Sequence, residues 1–221
     1  MARNTAAVLL ICIAFLVLQP ASAEAHQPRL VNGDMIIIDH PEVSKAYYDI
    51  LTGAPRTYVI ESPEPFLLYL NLLVPESSNP QGRYSAIIYT VKGAEKTTWA
   101  ILDAASVEWK EFYEEYGGDY YLWGPEYEQR VPAGRYEVVV YSADNRGYYS
   151  LATGKQEVFP PDEIARAFLI LPFLKMQFFQ YPLQTLLTSP FILAWLFIIA
   201  ALVINIVIIF VKVFRRRTSA I

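Results

Sequence analysis

Hydrophobic positions in this chain form two long uninterrupted runs, one near each end, with a series of short runs between them. The first long run covers residues 6–18, follows the basic Arg3, and is broken at Pro20. Ala21 and Ala23 then supply the small-residue spacing of a signal-peptidase site. A run of 13 residues is short for a bilayer span, which needs about 20. We therefore expect residues 1–23 to be a cleaved signal peptide, with an uncleaved anchor as the alternative.

The second long run covers residues 191–211 and contains one strongly polar side chain, Asn205. As an α-helix it would be about 32 Å long, close to the roughly 30 Å of a bilayer's hydrocarbon core. The pattern predicts one C-terminal transmembrane helix over residues 189–213. Four basic residues follow it, namely Lys212, Arg215, Arg216 and Arg217. The positive-inside rule places them in the cytoplasm, which predicts a cytoplasmic tail over residues 214–221 and a single-pass cell-membrane protein with its N-terminal domain outside.

One face of the predicted transmembrane helix carries small and polar side chains. Ala194, Ile198, Ala201 and Asn205 are spaced by four, three and four residues. Small residues let two helices approach closely, and an asparagine can form hydrogen bonds between them. Ala194, Ala201 and Asn205 are thus candidates for packing against another transmembrane protein. A lone asparagine tolerated in lipid is the alternative.

Between the two long runs, short β-rich segments alternate with turn-forming residues. We predict strands at residues 56–61, 66–74, 83–91, 97–102, 135–142 and 147–153. Both faces of the segment 66–74 are apolar, as expected of a central strand. The last two strands are predicted to form a hairpin through the turn residues Asp144, Asn145 and Gly147. This pattern predicts a mainly β fold, an antiparallel β-sandwich or jelly roll, over residues 24–155.

Two segments outside the strand pattern are predicted to be helical. Residues 106–118 place Trp109, Phe112, Tyr113 and Tyr116 at helical spacing between a serine and a pair of glycines. Residues 156–188 form an amphipathic, membrane-proximal segment rich in phenylalanine. We expect an interfacial helix there that lies on the outer leaflet, with Arg166 and Lys175 reaching lipid phosphates. The alternative is a helix packed under the sandwich.

Charge and cysteine content restrict the possible functions. All 22 acidic residues and 11 of the 18 lysines and arginines lie between Glu24 and Glu163, which gives this stretch a formal charge of -11. Such a domain repels phosphate, which argues against nucleic acid as a partner. The only cysteine, Cys12, falls in the predicted signal peptide. The mature domain therefore has no disulfide and no cysteine-based metal site.

The sequence contains no recognisable catalytic motif. His40 has Asp39 and Glu42 nearby, but a turn before Pro41 explains this group more simply than a metal site. Acidic residues of the 108–126 region include Glu108, Glu111, Glu114, Glu115 and Asp119. They are consistent with a carbohydrate-active hydrolase or a weak calcium site, and more simply with a solvated face. We assign no catalytic residue, no metal ligand and no cofactor.

An aromatic cluster is the sharpest candidate for a binding site. Its members are Trp109, Tyr116, Tyr120, Tyr121, Trp123 and Tyr127, interspersed with acidic residues and glycines. Exposed aromatic rings beside carboxylates can stack on sugars or fill a partner's pockets. The alternative is ordinary packing within the sandwich.

The segment 131–154 resembles the closing strands of pre-peptidase C-terminal β-sandwich domains. The similarity lies in Pro132, Ala133, Gly134, Tyr136, Gly147, Tyr149, Leu151 and Gly154. With the following EVFPPDEI, the chain also resembles uncharacterised membrane-anchored envelope proteins. This resemblance implies a fold and a location. We therefore expect a non-enzymatic binding or accessory module of the cell envelope, with a subunit of a membrane complex as one form of this role. Its expected partners are the bilayer, another transmembrane protein or a surface glycan, and the alternative is an envelope hydrolase.

Overall fold

The computed structural model describes residues 26–33, 35–115, 117–182, 184 and 190–218. Within the last range, side chains are described at 193 and from 196 to 211. The predicted signal peptide, residues 1–23, lies outside the described residues. So do Tyr116 and the side chains of Ala194, Lys212, Arg215, Arg216 and Arg217.

Two β-sheets form the body of the protein. The first, sheet A, contains in spatial order β1 (Gln27–Leu30), β3 (Lys45–Thr52), β11 (Arg146–Thr153), β5 (Phe66–Pro75), β9 (Asp119–Val131) and β8 (Lys110–Glu114). The second, sheet B, contains β2 (Met35–Ile38), β4 (Arg56–Ser62), β10 (Gly134–Tyr141), β6 (Ser85–Lys92) and β7 (Glu95–Leu102). β1 pairs with β3 and β2 with β4 in parallel, and the other pairs are antiparallel. The prediction of a mainly β sandwich is confirmed.

One apolar core lies between the sheets, because alternate residues of each strand point toward the opposite sheet. β5 contributes Leu68, Leu70 and Leu72, and β10 contributes Val138 and Val140, all of them buried. β5 is a central strand of sheet A, as predicted. Both of its faces are apolar because a further layer covers the outer face of this sheet.

That layer is a helical segment made of α1 (Pro161–Phe173) and a π-helical turn (Leu174–Phe178). Leu174, Phe178 and Phe179 pack against Leu73, Tyr121 and Ala152 on the outer face of sheet A. The prediction of an interfacial helix on the lipid surface is wrong: Lys175, expected to reach lipid phosphates, is 1% exposed and paired with Asp119. The apolar outer face of sheet A gives these side chains a protein surface to pack against, in agreement with the alternative of a helix packed on the sandwich.

The second helix, α2 (Pro190–Thr218), covers the segment predicted to span the bilayer. No helix in the described part of the chain is both long and apolar enough to cross a membrane. The predicted transmembrane helix is therefore not supported. On the predicted packing face, Asn205 Nδ2 donates to the carbonyl oxygen of Ala201 at 2.7 Å, so one N–H of this amide has a partner within its own helix.

The predicted helix over residues 106–118 is also wrong. A 3₁₀ helix (Ala104–Ser106) is followed by the extended strand β8, which pairs with β9 from Lys110↔Trp123 to Glu114↔Asp119. Aromatic residues at spacings of three and four favoured a helix, but pairing with a long neighbouring strand favours the extended form. Tertiary pairing overrides a short local pattern here.

The predicted hairpin between the last two strands is not formed. β10 pairs with β4 and β6, whereas β11 pairs with β3 and β5 in the other sheet. The turn between them is fixed by Asn145, whose Oδ1 accepts from the Ser142 N–H at 3.1 Å. Asn145 itself takes a positive φ of 50°, which asparagine tolerates well. The turn thus carries the chain from one sheet across to the other.

His26 gives the fold a pH dependence. Its Nδ1 contacts the Ser44 hydroxyl, and burial lowers the pKa of the ring from 6.5 to about 4. The unfolded chain therefore binds the proton more readily, so stability is fully present above pH 6.5 and is lost as the pH falls toward 4. We expect a loss of about 2 kcal/mol between pH 7.5 and pH 5. Urea unfolding at both pH values measures it, and His26→Gln should remove most of the difference. An equal loss in that variant would contradict the assignment to His26.

Candidate binding surface

The predicted aromatic cluster is divided between the two faces of β9. Tyr121 is buried on the outer face, where its ring lies 5.3 Å from that of Phe179. Trp123 packs on the same side, with its ring 5.0 Å from Phe112. Because both rings hold the helical layer on sheet A, they are packing residues.

Trp109 closes the side of the sandwich near the start of β8. Its ring packs against the inter-sheet core, and its Nε1 donates to the carbonyl oxygen of Ala104 at 3.0 Å. A Cβ added at Gly124 would lie 2.3 Å from this ring. The indole therefore occupies the space above Gly124 that any side chain there would need, and Trp109 is not available to a ligand.

Tyr120 is exposed and faces a tyrosine that the sequence analysis did not select. Tyr113 on β8 lies directly opposite Tyr120 on β9. The ring centroids are 4.8 Å apart at an angle of 42°, and the residues are 43% and 50% exposed. Strand alternation in β8 would have predicted an exposed side chain at Tyr113, but the predicted helix placed this residue on a buried face. We name this pair the tyrosine platform.

The β8–β9 turn holds the tyrosine platform in place. Glu114 accepts a hydrogen bond from the Gly117 N–H at 2.5 Å, and the Gly118 N–H donates to the Glu114 carbonyl oxygen at 2.9 Å. At the other end of the turn, Asp119 forms a buried ion pair with Lys175 at 2.5 Å. The hairpin is thus anchored both by its own backbone and to the helical layer below it.

Burial and the neighbouring charges raise the pKa of Tyr113, first through desolvation and then through Tyr120 and Glu114. Like any tyrosine hydroxyl, that of Tyr113 is protonated at neutral pH and can donate a hydrogen bond. The platform offers two aromatic faces with phenolic hydroxyls at their rims, and this combination suits a partner that has both apolar and hydroxyl groups.

A second aromatic group lies where β7 approaches β9. Trp99 is 40% exposed and donates from Nε1 to the hydroxyl of Tyr127 at 2.6 Å. Tyr127 in turn donates to Gln129 Oε1 at 3.0 Å. A register shift beside Gly124 lets Tyr127 face the sandwich interior rather than the side of Trp123. Neither Trp99 nor Gln129 was selected from the sequence, and Trp99 was missed because β7 carried no aromatic cluster.

Two acidic residues of the 108–126 region have structural partners. Asp119 is bound to Lys175, and Glu114 is used by the turn. The other acidic residues of this region are exposed, namely Glu108, Glu111, Glu115 and Glu126. Among the described residues there is no group of three or more histidine, cysteine or acidic side chains able to hold a metal ion. The turn interpretation of His40 agrees with the hydrogen bond from the Val43 N–H to its carbonyl oxygen at 2.9 Å.

No protein-family model matches this chain, and no curated protein matches it either. Among solved structures, the pre-peptidase C-terminal domain of a collagenase from Bacillus anthracis is similar over 58% of this chain and 95% of that chain, at 9% identity and a TM-score of 0.33. CorA, a surface-associated copper-binding protein of Methylomicrobium album BG8, is similar over 58% of this chain and 100% of that chain, at 8% identity and a TM-score of 0.29. The structural neighbours thus include a pre-peptidase C-terminal domain. At these scores neither similarity assigns a family or a function.

Proposed function

We propose that this protein is a non-enzymatic binding module of the cell envelope, and that the tyrosine platform binds a surface glycan. The observation that carries this proposal is the exposed cross-strand pair of Tyr113 and Tyr120. The extracytoplasmic location rests on the signal peptide predicted for residues 1–23.

Two physical features of the platform support a sugar ligand. A sugar ring presents C–H groups on its faces and hydroxyls at its rim, which complement an aromatic face edged by hydrogen-bonding groups. The phenolic hydroxyls and the exposed carboxylate of Glu111, on the same face of β8, provide donors and acceptors for the sugar hydroxyls. Because the hairpin is anchored before binding, little conformational entropy is lost when the ligand binds.

The hydrolase alternative requires an acid and a second carboxylate at a defined separation. Asp119 and Glu114 have other partners, whereas Glu108, Glu111, Glu115 and Glu126 are exposed. We favour binding over hydrolysis because the exposed tyrosine pair is the better-defined feature of this region.

We expect Tyr113→Ala and Tyr120→Ala each to weaken glycan binding about tenfold, and the double variant more, because each change removes one stacking surface. Affinity electrophoresis of the full chain in gels containing envelope polysaccharides measures the change. Phe173→Ala is the matched control, since Phe173 is 46% exposed on α1. Phenylalanine at either position should retain most of the binding.

If the polysaccharide gel retarded the wild-type and double-variant chains equally, the tyrosine platform would not be the glycan-binding site. Release of reducing ends by the wild-type protein, abolished by Glu111→Gln, would replace binding with hydrolysis. Glu111→Gln is the sharper probe of hydrolysis than any change at Asp119, since Asp119 also supports the fold.

A further inference from the structure

The outer face of sheet B carries a row of residues across all five strands that is apolar except on β4. Cross-strand pairing aligns Met35, Thr57, Val139, Ile87 and Ile101 from one edge of the sheet to the other. Their chain neighbours, such as Ile36, Val138 and Ile88, point into the core, so this row points outward. Met35 is 61% exposed and Ile101 is 59% exposed, and Ile37 in the adjacent row is 72% exposed.

The two sheets of the sandwich thus differ on their outer sides. The helical layer covers the apolar outer face of sheet A, whereas the large side chains at both edges of sheet B remain exposed. Several exposed apolar side chains on one solvent-facing surface commonly mark an interaction site.

The charges on this face neutralise one another. Lys96 pairs with Glu137 at 2.5 Å, and Arg135 pairs with Glu61 at 2.6 Å. Among the described residues, these two cations balance these two anions on the face, although residues 24–163 as a whole carry -11. A positively charged partner would therefore gain no electrostatic attraction from this face. A second copy of the same acidic domain would meet no repulsion at the surface of contact.

We propose that the outer face of sheet B is a self-association surface on which a second copy of this chain packs face to face. Two sheets packed in this way lie about 10 Å apart, with their strands aligned to within about 30°. A two-fold axis parallel to the central strand β10 would set the Met35 edge of each copy over the Ile101 edge of the other. Such a contact is isologous and closes at two copies.

The area of the face agrees with a dimer of modest strength. Five strands about 4.8 Å apart and up to eight residues long give about 600 Å² per copy. The total of about 1,200 Å² is at the lower end of the range for specific interfaces. The inference is independent of the proposed glycan site, which lies on the β8–β9 hairpin of sheet A.

The test is chemical crosslinking of the full chain in mild detergent, in a Cys12→Ser background that removes the only cysteine. Val139→Cys places one thiol at the centre of the proposed interface. A short bis-maleimide is needed, because sheets 10 Å apart are beyond the reach of a disulfide. We expect a covalent dimer at micromolar protein. Val158→Cys is the control, since Val158 is exposed beyond β11 and away from this face.

A second pair of variants separates this face from other routes of association, including contacts between copies of α2. We expect Ile37→Glu with Ile101→Glu to lower the yield of the Val139→Cys dimer at least tenfold, while Val158→Glu leaves it unchanged. Circular dichroism confirms folding. The proposal is overturned if Val139→Cys remains monomeric at 100-fold higher protein concentration, if Val158→Cys crosslinks equally well, or if the glutamates have no effect. Crosslinking of Val139→Cys in intact cells to a different protein only would also overturn it.

Discussion

Replacing Lys175 with methionine is expected to lower the free energy of unfolding by about 3–5 kcal/mol. The ammonium and the Asp119 carboxylate are 1% and 3% exposed and lie 2.5 Å apart. Without Lys175, the carboxylate is left buried without an opposite charge. Burial raises the pKa of Asp119, and the favourable effect of Lys175 offsets this only in part. Desolvation of the two charges is unfavourable, and their mutual attraction offsets this cost only while both partners are present.

The same argument predicts the result of a double-mutant cycle. Asp119→Leu alone leaves the ammonium beside the stacked rings of Phe179 and Tyr181, whose centroids are 5.7 Å and 5.6 Å away. We expect a loss similar to that of Lys175→Met. The double variant, with an apolar pair in the same space, should recover most of the wild-type stability. Urea unfolding followed by intrinsic fluorescence provides all four values of the cycle.

Lys155→Met is the matched control for this cycle. Lys155 and Glu128 also lie 2.5 Å apart, but their side chains are 44% and 43% exposed. Solvent screens such a pair, so we expect a loss of no more than about 1 kcal/mol. If Lys175→Met costs no more than Lys155→Met, or if the two losses at Lys175 and Asp119 simply add, the helical layer is not held by this ion pair.

Much of the sandwich could be predicted from the sequence because alternation along single strands is local information. The strands at 66–74 and 135–142 were predicted almost at their true bounds, β5 (Phe66–Pro75) and β10 (Gly134–Tyr141). How strands assort into sheets is not local, and the predicted hairpin between β10 and β11 failed for this reason. A compact turn such as the one from Ser142 to Asn145 can connect two strands in different sheets as well as two strands of a hairpin.

The helical layer could not be predicted because its decisive contact is distant in sequence. Lys175 and Asp119 are separated by 56 positions. With no partner visible, a lysine among phenylalanines suggested a lipid interface. The prediction of the binding site was partly wrong for a related reason. Tyr120 was selected and is exposed, but the opposing Tyr113 was assigned to a helix, and the register shift beside Gly124 that turns Tyr127 inward has no signature in the amino-acid pattern.

Replacing Asp49 with alanine is the other change with a large expected effect, again about 3–5 kcal/mol. The carboxylate is 2% exposed and accepts five hydrogen bonds, of which two come from Arg56 and one from the Ile50 N–H. The Nε of Arg56 donates at 2.8 Å, and the hydroxyls of Tyr58 and Tyr149 donate at 3.1 Å and 2.8 Å. Burial raises the pKa of both tyrosines well above their usual value, so these donors keep their protons. Without Asp49, one cation and two buried hydroxyls lose their acceptor together.

This network also links the two sheets, because Asp49 and Tyr149 lie on sheet A whereas Arg56 and Tyr58 lie on sheet B. Tyr149→Phe keeps the ring that stacks 4.9 Å from Tyr84 and removes one hydrogen bond to the carboxylate, so we expect a loss of about 1–2 kcal/mol. Glu61→Ala is the control, since Glu61 pairs with Arg135 across an exposed surface and its removal should cost less than about 1 kcal/mol. Urea unfolding of the three variants should rank them Asp49→Ala, Tyr149→Phe, Glu61→Ala in decreasing loss. A loss for Asp49→Ala no greater than for Glu61→Ala would mean that apolar packing alone holds the sheets together.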